Sequence, residues 1–269
     1  RHGFSTRKSL GQHFLISRRV LDAIMAACAL DDGAPVLEIG PGVGTLTRAL
    51  AEAGARVTAV EVDPRAVAVL AETVGAFPTV QVVPQDILAV DLPALLGEEC
   101  WTVAGNLPYY ITTPVIEAML GAAARIRRMV FLVQREVADR LQAPPGGKDY
   151  GSLSVFVQTF AEVARVTRVP RGAFLPPPTV ESAVVRLALR PEPQVPPVLQ
   201  PVFFRTVRAA FGQRRKMLEN ALANGGILGG DRAAVADALA AARLAGRRRG
   251  ETLHLAEFRT LAEEIARRT

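Results

Sequence analysis

The sequence predicts an α/β fold, in which a doubly wound sheet built by the first two-thirds of the chain is followed by a small helical domain. Short apolar runs alternate with helical patterns, a glycine-rich turn closes the first of those runs, and a proline-rich stretch at 191–198 precedes a purely helical tail. Strands that alternate with helical segments in this way form parallel sheets.

Ser17 is a candidate N-cap for a helix over 18–29. Val36-Leu37-Glu38-Ile39 reads as the first strand of the sheet, followed by a helix over 45–53. A strand at 56–62 and a helix over 64–73 come next, then strands at 80–83, 101–104 and 128–133. Two later strands are expected at 163–169 and 182–189, and Pro144-Pro145-Gly146-Gly147-Lys148 reads as a mobile loop. Pro191-Glu192-Pro193-Gln194-Val195-Pro196-Pro197 is stiff enough to act as a linker. It divides a domain at 1–190, with an N-terminal arm, from a helical domain at 199–269. In the latter, Phe203, Val207, Ala210 and Phe211 share one helical face, with further helices expected over 232–244 and 256–267.

A chain of 269 residues, 49% hydrophobic and 22% charged, can bury a core that needs no disulfide or metal support. Cys28 and Cys100 lie far apart with no C-x-x-C spacing, and are expected to be buried small hydrophobes in a reducing compartment. His2, His13 and His254 stand at no ligand spacing, so no metal site is expected. With no apolar run of membrane-spanning length and no signal peptide pattern, a cytoplasmic, soluble protein without membrane contact is expected. The charge is unevenly placed. Residues 195–269 hold 13 Lys or Arg against 7 Asp or Glu, whereas residues 1–194 hold 19 of each. A basic appendage on a neutral body suits a polyanionic partner, or else an arginine-rich solvated surface.

The first strand runs into Gly40-Pro41-Gly42-Val43-Gly44 and then a helix, so that the backbone can turn sharply and approach a ligand. In this Rossmann-like setting the third glycine comes one residue earlier than in a nicotinamide site. The second strand ends in Glu61-Val62-Asp63, where a carboxylate can accept both hydroxyls of a ribose. The third ends in Gln85-Asp86, where Asp86 can receive an adenine amino group. Three strand ends thus agree on an S-adenosylmethionine site in a class I methyltransferase sheet.

The fourth strand runs into Asn106-Leu107-Pro108-Tyr109. An adenine N6 amine is a poor nucleophile because its lone pair is delocalised into the ring. The Asn106 amide oxygen and the Leu107 carbonyl can each accept one N6 hydrogen and turn that lone pair toward a methyl donor. Pro108 fixes the backbone and has no competing N–H, and Tyr109 can stack on the base. Catalysis then rests on alignment and on acceptors placed for developing positive charge, with no ionised base required.

With these motifs in place, the chain resembles the KsgA-type ribosomal RNA small-subunit adenine N6,N6-dimethyltransferases over nearly its whole length. Gly11-Gln12-His13-Phe14-Leu15 is similar to the family's G-Q-N-F-L element, which closes over the cofactor, with His13 in place of the usual Asn. The resemblance implies His13, Leu15, Gly40, Gly42, Gly44, Glu61, Asp86 and Asn106 as cofactor contacts. Phe131-Leu132-Val133-Gln134-Arg135-Glu136 is also similar to a family motif. The stretch from Phe174-Leu175-Pro176-Pro177-Pro178 to Ser182-Ala183-Val184-Val185 resembles F-x-P-P-P-x-V-D-S-A-V-V and puts Phe174 near the target base. Phe211-Gly212-Gln213-Arg214-Arg215-Lys216 resembles F-x-Q-R-R-K and implies Arg214, Arg215 and Lys216 as RNA contacts. The implied substrate is a pair of adjacent adenosines in a hairpin near the 3′ end of small-subunit rRNA. They would be dimethylated by a monomer acting on a partly assembled subunit. The alternatives are a macrolide-resistance dimethyltransferase acting on large-subunit rRNA and a non-catalytic RNA-binding assembly or transcription factor. A DNA adenine methyltransferase would be expected to carry a base-reading domain, which is not found.

Overall fold

The structure is a computed structural model that describes residues 13–269. Gly11 and Gln12 of the N-terminal motif lie outside the described residues. The chain divides into two compact units, one formed by the described residues up to 138 together with 162–191, the other by 139–161 and 192–269.

In the first unit, β1 (Phe14–Leu15) and α1 (Arg18–Cys28) lead into β2 (Pro35–Ile39), α2 (Thr45–Glu52), β3 (Arg56–Val60), α3 (Pro64–Thr73) and β4 (Val80–Val83). The chain continues through α4 (Leu92–Leu96), β5 (Trp101–Asn106), α5 (Thr112–Gly121), β6 (Ile126–Gln134) and α6 (Arg135–Gln142), which leads out of this unit. It returns along β7 (Ala161–Val169), β8 (Phe174–Leu175) and β9 (Ser182–Leu189). Seven strands form one sheet in the order β4-β3-β2-β5-β6-β9-β7. The pairs β3–β4, β2–β3, β2–β5 and β5–β6 are parallel, and β6–β9 is antiparallel. The doubly wound expectation holds, but the sheet is mixed. The antiparallel strand β9 sits between β6 and the edge strand β7, and the chain enters it from β7 and β8 without a helical crossover of the kind that parallel neighbours need.

Local sequence explains the central elements. In β2, Val36, Leu37, Glu38 and Ile39 are all buried, as expected of a strand covered on both faces. In α1, Val20, Leu21, Ile24, Ala27 and Cys28 form one apolar stripe, and the helix packs on β6 and β9. Ser17 occupies its N-cap position but makes no side-chain cap bond. The cysteine expectation needs a correction. Cys28 is buried, which pushes its thiol pKa up to about 12, whereas Cys100 is exposed because it stands in the turn before β5.

Two ladders bring the ends of distant segments together. After β2 the chain moves outward to β3 and β4, then returns to the other side of β2 as β5. This order reversal opens a crevice at the C-terminal ends of β2, β3 and β5. Separately, β1 pairs antiparallel with β8, Phe14 opposite Leu175 and Leu15 opposite Phe174, so the end of the N-terminal motif lies beside the proline run. Gly105 makes the first arrangement close. A Cβ there would lie 2.5 Å from the Ile39 carbonyl oxygen, so only glycine lets the ends of β2 and β5 approach this far.

In the second unit, α7 (Ser152–Phe160), α8 (Gln200–Gly212), α9 (Leu218–Asn224), α10 (Arg232–Ala241) and α11 (Leu255–Ala266) surround one core. Phe203, Val207, Leu218, Leu222, Leu239, Phe258 and Leu261 are buried in it, joined by Tyr150, Val155 and Val195. The unit therefore draws on two chain segments, and Val195, inside the proline-rich stretch, is one of its core residues. The segment at 144–148, expected to be mobile, is tied down. Gly146 N donates to the Glu251 carbonyl (2.7 Å), Arg214 donates to the Lys148 carbonyl (2.5 Å), and the Tyr150 hydroxyl donates to the Leu253 carbonyl (2.9 Å). Among the described residues, no helix is long and apolar enough to cross a membrane.

Gly105→Ala tests the crevice. Overpacking against the Ile39 carbonyl should cost about 1–3 kcal/mol of stability and displace the adjoining Asn106. Urea unfolding and ligand titration of the same variant read the two effects, and a variant as stable as the parent would remove the close-approach argument.

Candidate active site

One cavity opens at the C-terminal ends of the parallel strands. Its wall contains His13, Leu15, Gly40, Gly42, Glu61, Asp86, Asn106, Leu107, Pro108 and Tyr109, so ten of the residues singled out from sequence meet in one place. Phe14, Glu38, Gln85, Ile87 and Tyr110 complete parts of the lining.

The glycine loop is shaped for backbone approach. Gly40 (φ 66°) and Gly42 (φ 58°) are left-handed, and a Cβ on Gly42 would come within 3.1 Å of the Phe14 ring, which lies over it. Gly44 serves differently from expectation. It is not in the cavity wall, and a Cβ there would crowd Thr73, Leu70 and Val74, so this glycine seats α2 against α3.

Glu61 is almost fully buried. Its Oε2 accepts from Gly42 N (3.1 Å) and its Oε1 from Asp63 N (2.9 Å). One carboxylate thereby holds both the glycine loop and the turn after β3, and each oxygen keeps a lone pair for a further donor. Asp63 itself caps α3 and pairs with Arg65 (2.7 Å). Asp86 is exposed, with Oδ1 accepting from Leu88 N (3.0 Å). Glu38 is the electrostatic anomaly. It is buried on the cavity wall, and among the described residues its Oε2 has no hydrogen-bond partner. Burial pushes its carboxyl up to about 8; Thr47 offsets part of that and the charge on Glu61 adds to it. An uncompensated buried carboxyl of this kind favours a ligand that brings a donor or a positive charge.

Asn106 ends β5. Its Nδ2 donates to the His13 carbonyl (2.8 Å), which leaves Oδ1 as the acceptor turned to other partners. Leu107 N donates to the Leu132 carbonyl (3.2 Å), so the strand pairing continues through the motif. The Pro108 carbonyl accepts from Ile111 N (3.2 Å) and from the Thr112 hydroxyl (3.1 Å), closing a tight turn into α5. Tyr109 is half-buried, and its hydroxyl lies 2.8 Å from Ser182 Oγ at the start of β9. Burial raises the phenol pKa while Ser182 opposes the rise, so Tyr109 is a neutral ring at physiological pH. His13 Nδ1 donates to the Pro176 carbonyl (2.8 Å). Its ring stands 5.8 Å from that of Tyr109, tilted by 30°, and 6.5 Å edge-on from that of Phe174.

Phe174 is 2% exposed, packed in the core with Leu15 and Val184, and absent from the cavity wall. It backs His13 and offers no face to the cavity in this conformation. The expected cation trio belongs to the second unit. There Arg214 is committed to Glu251 (2.7 Å) and to the Lys148 carbonyl, whereas Arg215 and Lys216 are exposed. Ser182, which fixes Tyr109, and the burial of Glu38 escape a reading of the sequence. Gly105 escapes it too, although a glycine inside a strand just before a functional Asn is a legible sign of close backbone approach.

Comparison with known proteins agrees with this geometry. The family model for ribosomal RNA adenine dimethylase matches residues 3–261. The ribosomal RNA small subunit methyltransferase A of Pelotomaculum thermopropionicum is 48% identical over 98% of this chain and 93% of its own. That of Geobacillus thermodenitrificans is 45% identical over 98% of this chain and 92% of its own. Among solved structures, the 23S rRNA methyltransferase ErmE superposes with a TM-score of 0.71 at 30% identity, covering 94% of this chain and 99% of that one. A dimethyladenosine transferase from Plasmodium falciparum reaches 0.81 at 24% identity over 95% and 98%, which speaks for the fold.

Glu38 yields a pH test. In the unfolded chain it titrates near its ordinary value of 4.5, whereas in the folded protein it keeps its proton to about 8. Stability from this group is therefore full below pH 4.5 and lost as pH rises toward 8. Glu38→Gln should abolish that loss, so its advantage over the parent grows between about pH 5 and pH 8. Chemical denaturation at both pH values checks this, and a parallel pH response in the two proteins would contradict a protonated buried Glu38.

Proposed function

Because the chain belongs to the ribosomal RNA adenine dimethylase family, we propose that it dimethylates N6 of two adjacent adenosines near the 3′ end of small-subunit rRNA, using S-adenosylmethionine. The observation that carries this reading is the meeting of Asn106, Leu107, Pro108 and Tyr109 with Glu61, Asp86 and the glycine loop around one cavity. Identities of 45% and 48% to small-subunit methyltransferases over nearly full length favour that substrate over the large-subunit alternative, since ErmE stands at 30%. The intact Asn-Leu-Pro-Tyr motif speaks against a non-catalytic RNA-binding role. The working form we assign is a monomer on a partly assembled small subunit in the cytoplasm.

The residues present fit the cofactor. Glu61 has lone pairs for two ribose hydroxyls, Asp86 has an oxygen for an adenine amine, and Gly40 and Gly42 allow a close approach. The orphaned Glu38 carboxyl suits the positive end of the same molecule. His13 and Leu15 line the near side of the cavity. S-adenosylmethionine supplies a methyl group already activated on a sulfonium.

Everything else is alignment. The Asn106 amide is held by its Nδ2 bond to the His13 carbonyl, so Oδ1 is presented as an acceptor without reorganisation. Oδ1 and the Leu107 carbonyl each take one N6 hydrogen, which rotates the lone pair out of conjugation and toward the methyl. As the methyl passes to N6, the methyl–sulfur bond breaks and a neutral thioether leaves; Asn106 Oδ1 and the Leu107 carbonyl would stabilise the positive charge gained by N6 until one hydrogen leaves as a proton to water. Tyr109, anchored through Ser182, stacks on the base. After the first transfer N6 has a single hydrogen left, so the second transfer relies more on that stacking. Phe174 contributes by holding the His13 ring from behind.

Asn106→Ala should lower the single-turnover methylation rate far more than cofactor affinity. Radiolabelled transfer to unmodified small-subunit particles measures it, with large-subunit RNA as the control, and a parental rate would sink the mechanism. Tyr109→Ala, losing about 1–3 kcal/mol of stacking, should accumulate N6-monomethyladenosine in a time course read by mass spectrometry. An unchanged ratio of mono- to dimethylated product would exclude stacking as the device for the second step.

A further inference from the structure

Between Glu192 and Glu219 the chain has no carboxylate, yet Arg205, Arg208, Arg214, Arg215 and Lys216 all fall in this interval. Several exposed helical arginines of this protein are neutralised on the same helix, as in Arg18–Asp22, Arg48–Glu52 and Arg259–Glu263, while among the described residues Arg19 and Arg232 stand singly without such a pair. Helix α8 carries two arginines and no carboxylate at all. Its inner face buries Phe203, Thr206, Val207, Ala209 and Ala210, while Arg205 and Arg208 project from the outer face. Among the described residues, neither has an ion pair or a side-chain hydrogen bond. Like charges three apart on a helix repel, so the fold itself gains nothing from this pairing.

Gly212 lies on the same stripe, four residues after Arg208. Its φ is not in the left-handed range, and a Cβ there would meet nothing within 4 Å. Glycine has a low helix propensity, it does not serve here as a left-handed cap, and among the described residues nothing in the packing asks for it. A partner whose backbone approaches α8 closely does ask for it. Just beyond, Arg215 and Lys216 are also exposed and unpaired, whereas Arg214 is engaged with Glu251 and the Lys148 carbonyl. At about 1.5 Å of rise per residue, the stripe from Arg205 to Gly212 is roughly 10 Å long, on the scale of a few nucleotides of backbone.

We infer that the outer face of α8, through Arg205, Arg208 and the open backbone at Gly212, is a phosphate track for RNA that continues into Arg215 and Lys216, with Arg214 acting as an internal tether. This rests on the RNA-methylating reading and names the part of the chain that grips the RNA backbone. A face without carboxylates would also accept an acidic protein surface, but the glycine gap suits a sugar–phosphate chain better than a side-chain-covered protein.

The test is the salt dependence of binding to poly-uridylate and to a small-subunit rRNA transcript. Removing one phosphate interaction with single-stranded RNA lowers the log–log slope by about 0.7. R205Q/R208Q should therefore flatten it by about 1.4 on both RNAs without lowering the thermal midpoint. Gly212→Leu should weaken binding while leaving the protein at least as stable. R214Q should lower the midpoint and keep the slope. A parental slope in R205Q/R208Q, or a slope that falls only in R214Q, overturns the track. A parent protein that binds poly-uridylate with this α8-dependent slope, yet does not methylate small-subunit rRNA, supports the track and overturns the substrate assignment.

Discussion

The site depends on how closely the ends of β2 and β5 approach at the point where the strand order reverses. Gly105 permits that approach by leaving the Ile39 carbonyl unobstructed. Glu38 and the glycine loop follow directly from one strand, and Asn106 from the other. Glu61, from the third strand, then bonds back to Gly42 N. Three strand ends are thus coupled through backbone geometry and one carboxylate, and the functional side chains inherit positions set by the sheet. Precision of this sort is more readily built on strand ends than on long loops.

The central sheet is legible in the sequence because its determinants are local. The boundaries of α3 and β4 and the alternation of the early strands follow from apolar runs and from Pro64 at a helix start. The candidate carboxylates Glu61 and Asp86 are legible for the same reason, since each closes a strand. What sequence does not yield is long-range. The antiparallel sense of β9 depends on where the chain returns after residue 161. Ser182 reaches Tyr109 across 73 positions, and the Asn106 amide reaches the His13 carbonyl across 93. The family resemblance puts Phe174 near the target base, but its partners in the core come from α1 and the sheet. Arg214 reads like its neighbours Arg215 and Lys216, and only the fold brings Glu251, 37 positions on, beside it.

Charge is handled in two ways in this protein. On most helices arginine is matched to a nearby carboxylate, which gives solubility with little net field. At the cavity and along α8 the matching is withheld among the described residues: one buried carboxyl keeps an oxygen without a partner, and two arginines project without one. Both are arrangements that folding alone does not reward, and both suit a ligand, a donor in the first case and an anion in the second.

The second unit is assembled from two separated stretches of chain, and this has a consequence for dissection of the protein. The residues 139–161 are made before β7, β8 and β9, yet Tyr150 and Val155 belong to a core made largely of residues 192–269. A fragment ending near residue 191 would carry that segment with its greasy side bare, a ready site for aggregation. Expression of the sheet unit by itself calls for excising 139–161 and rejoining the chain with a short polar bridge, and not for a simple cut at the proline-rich stretch.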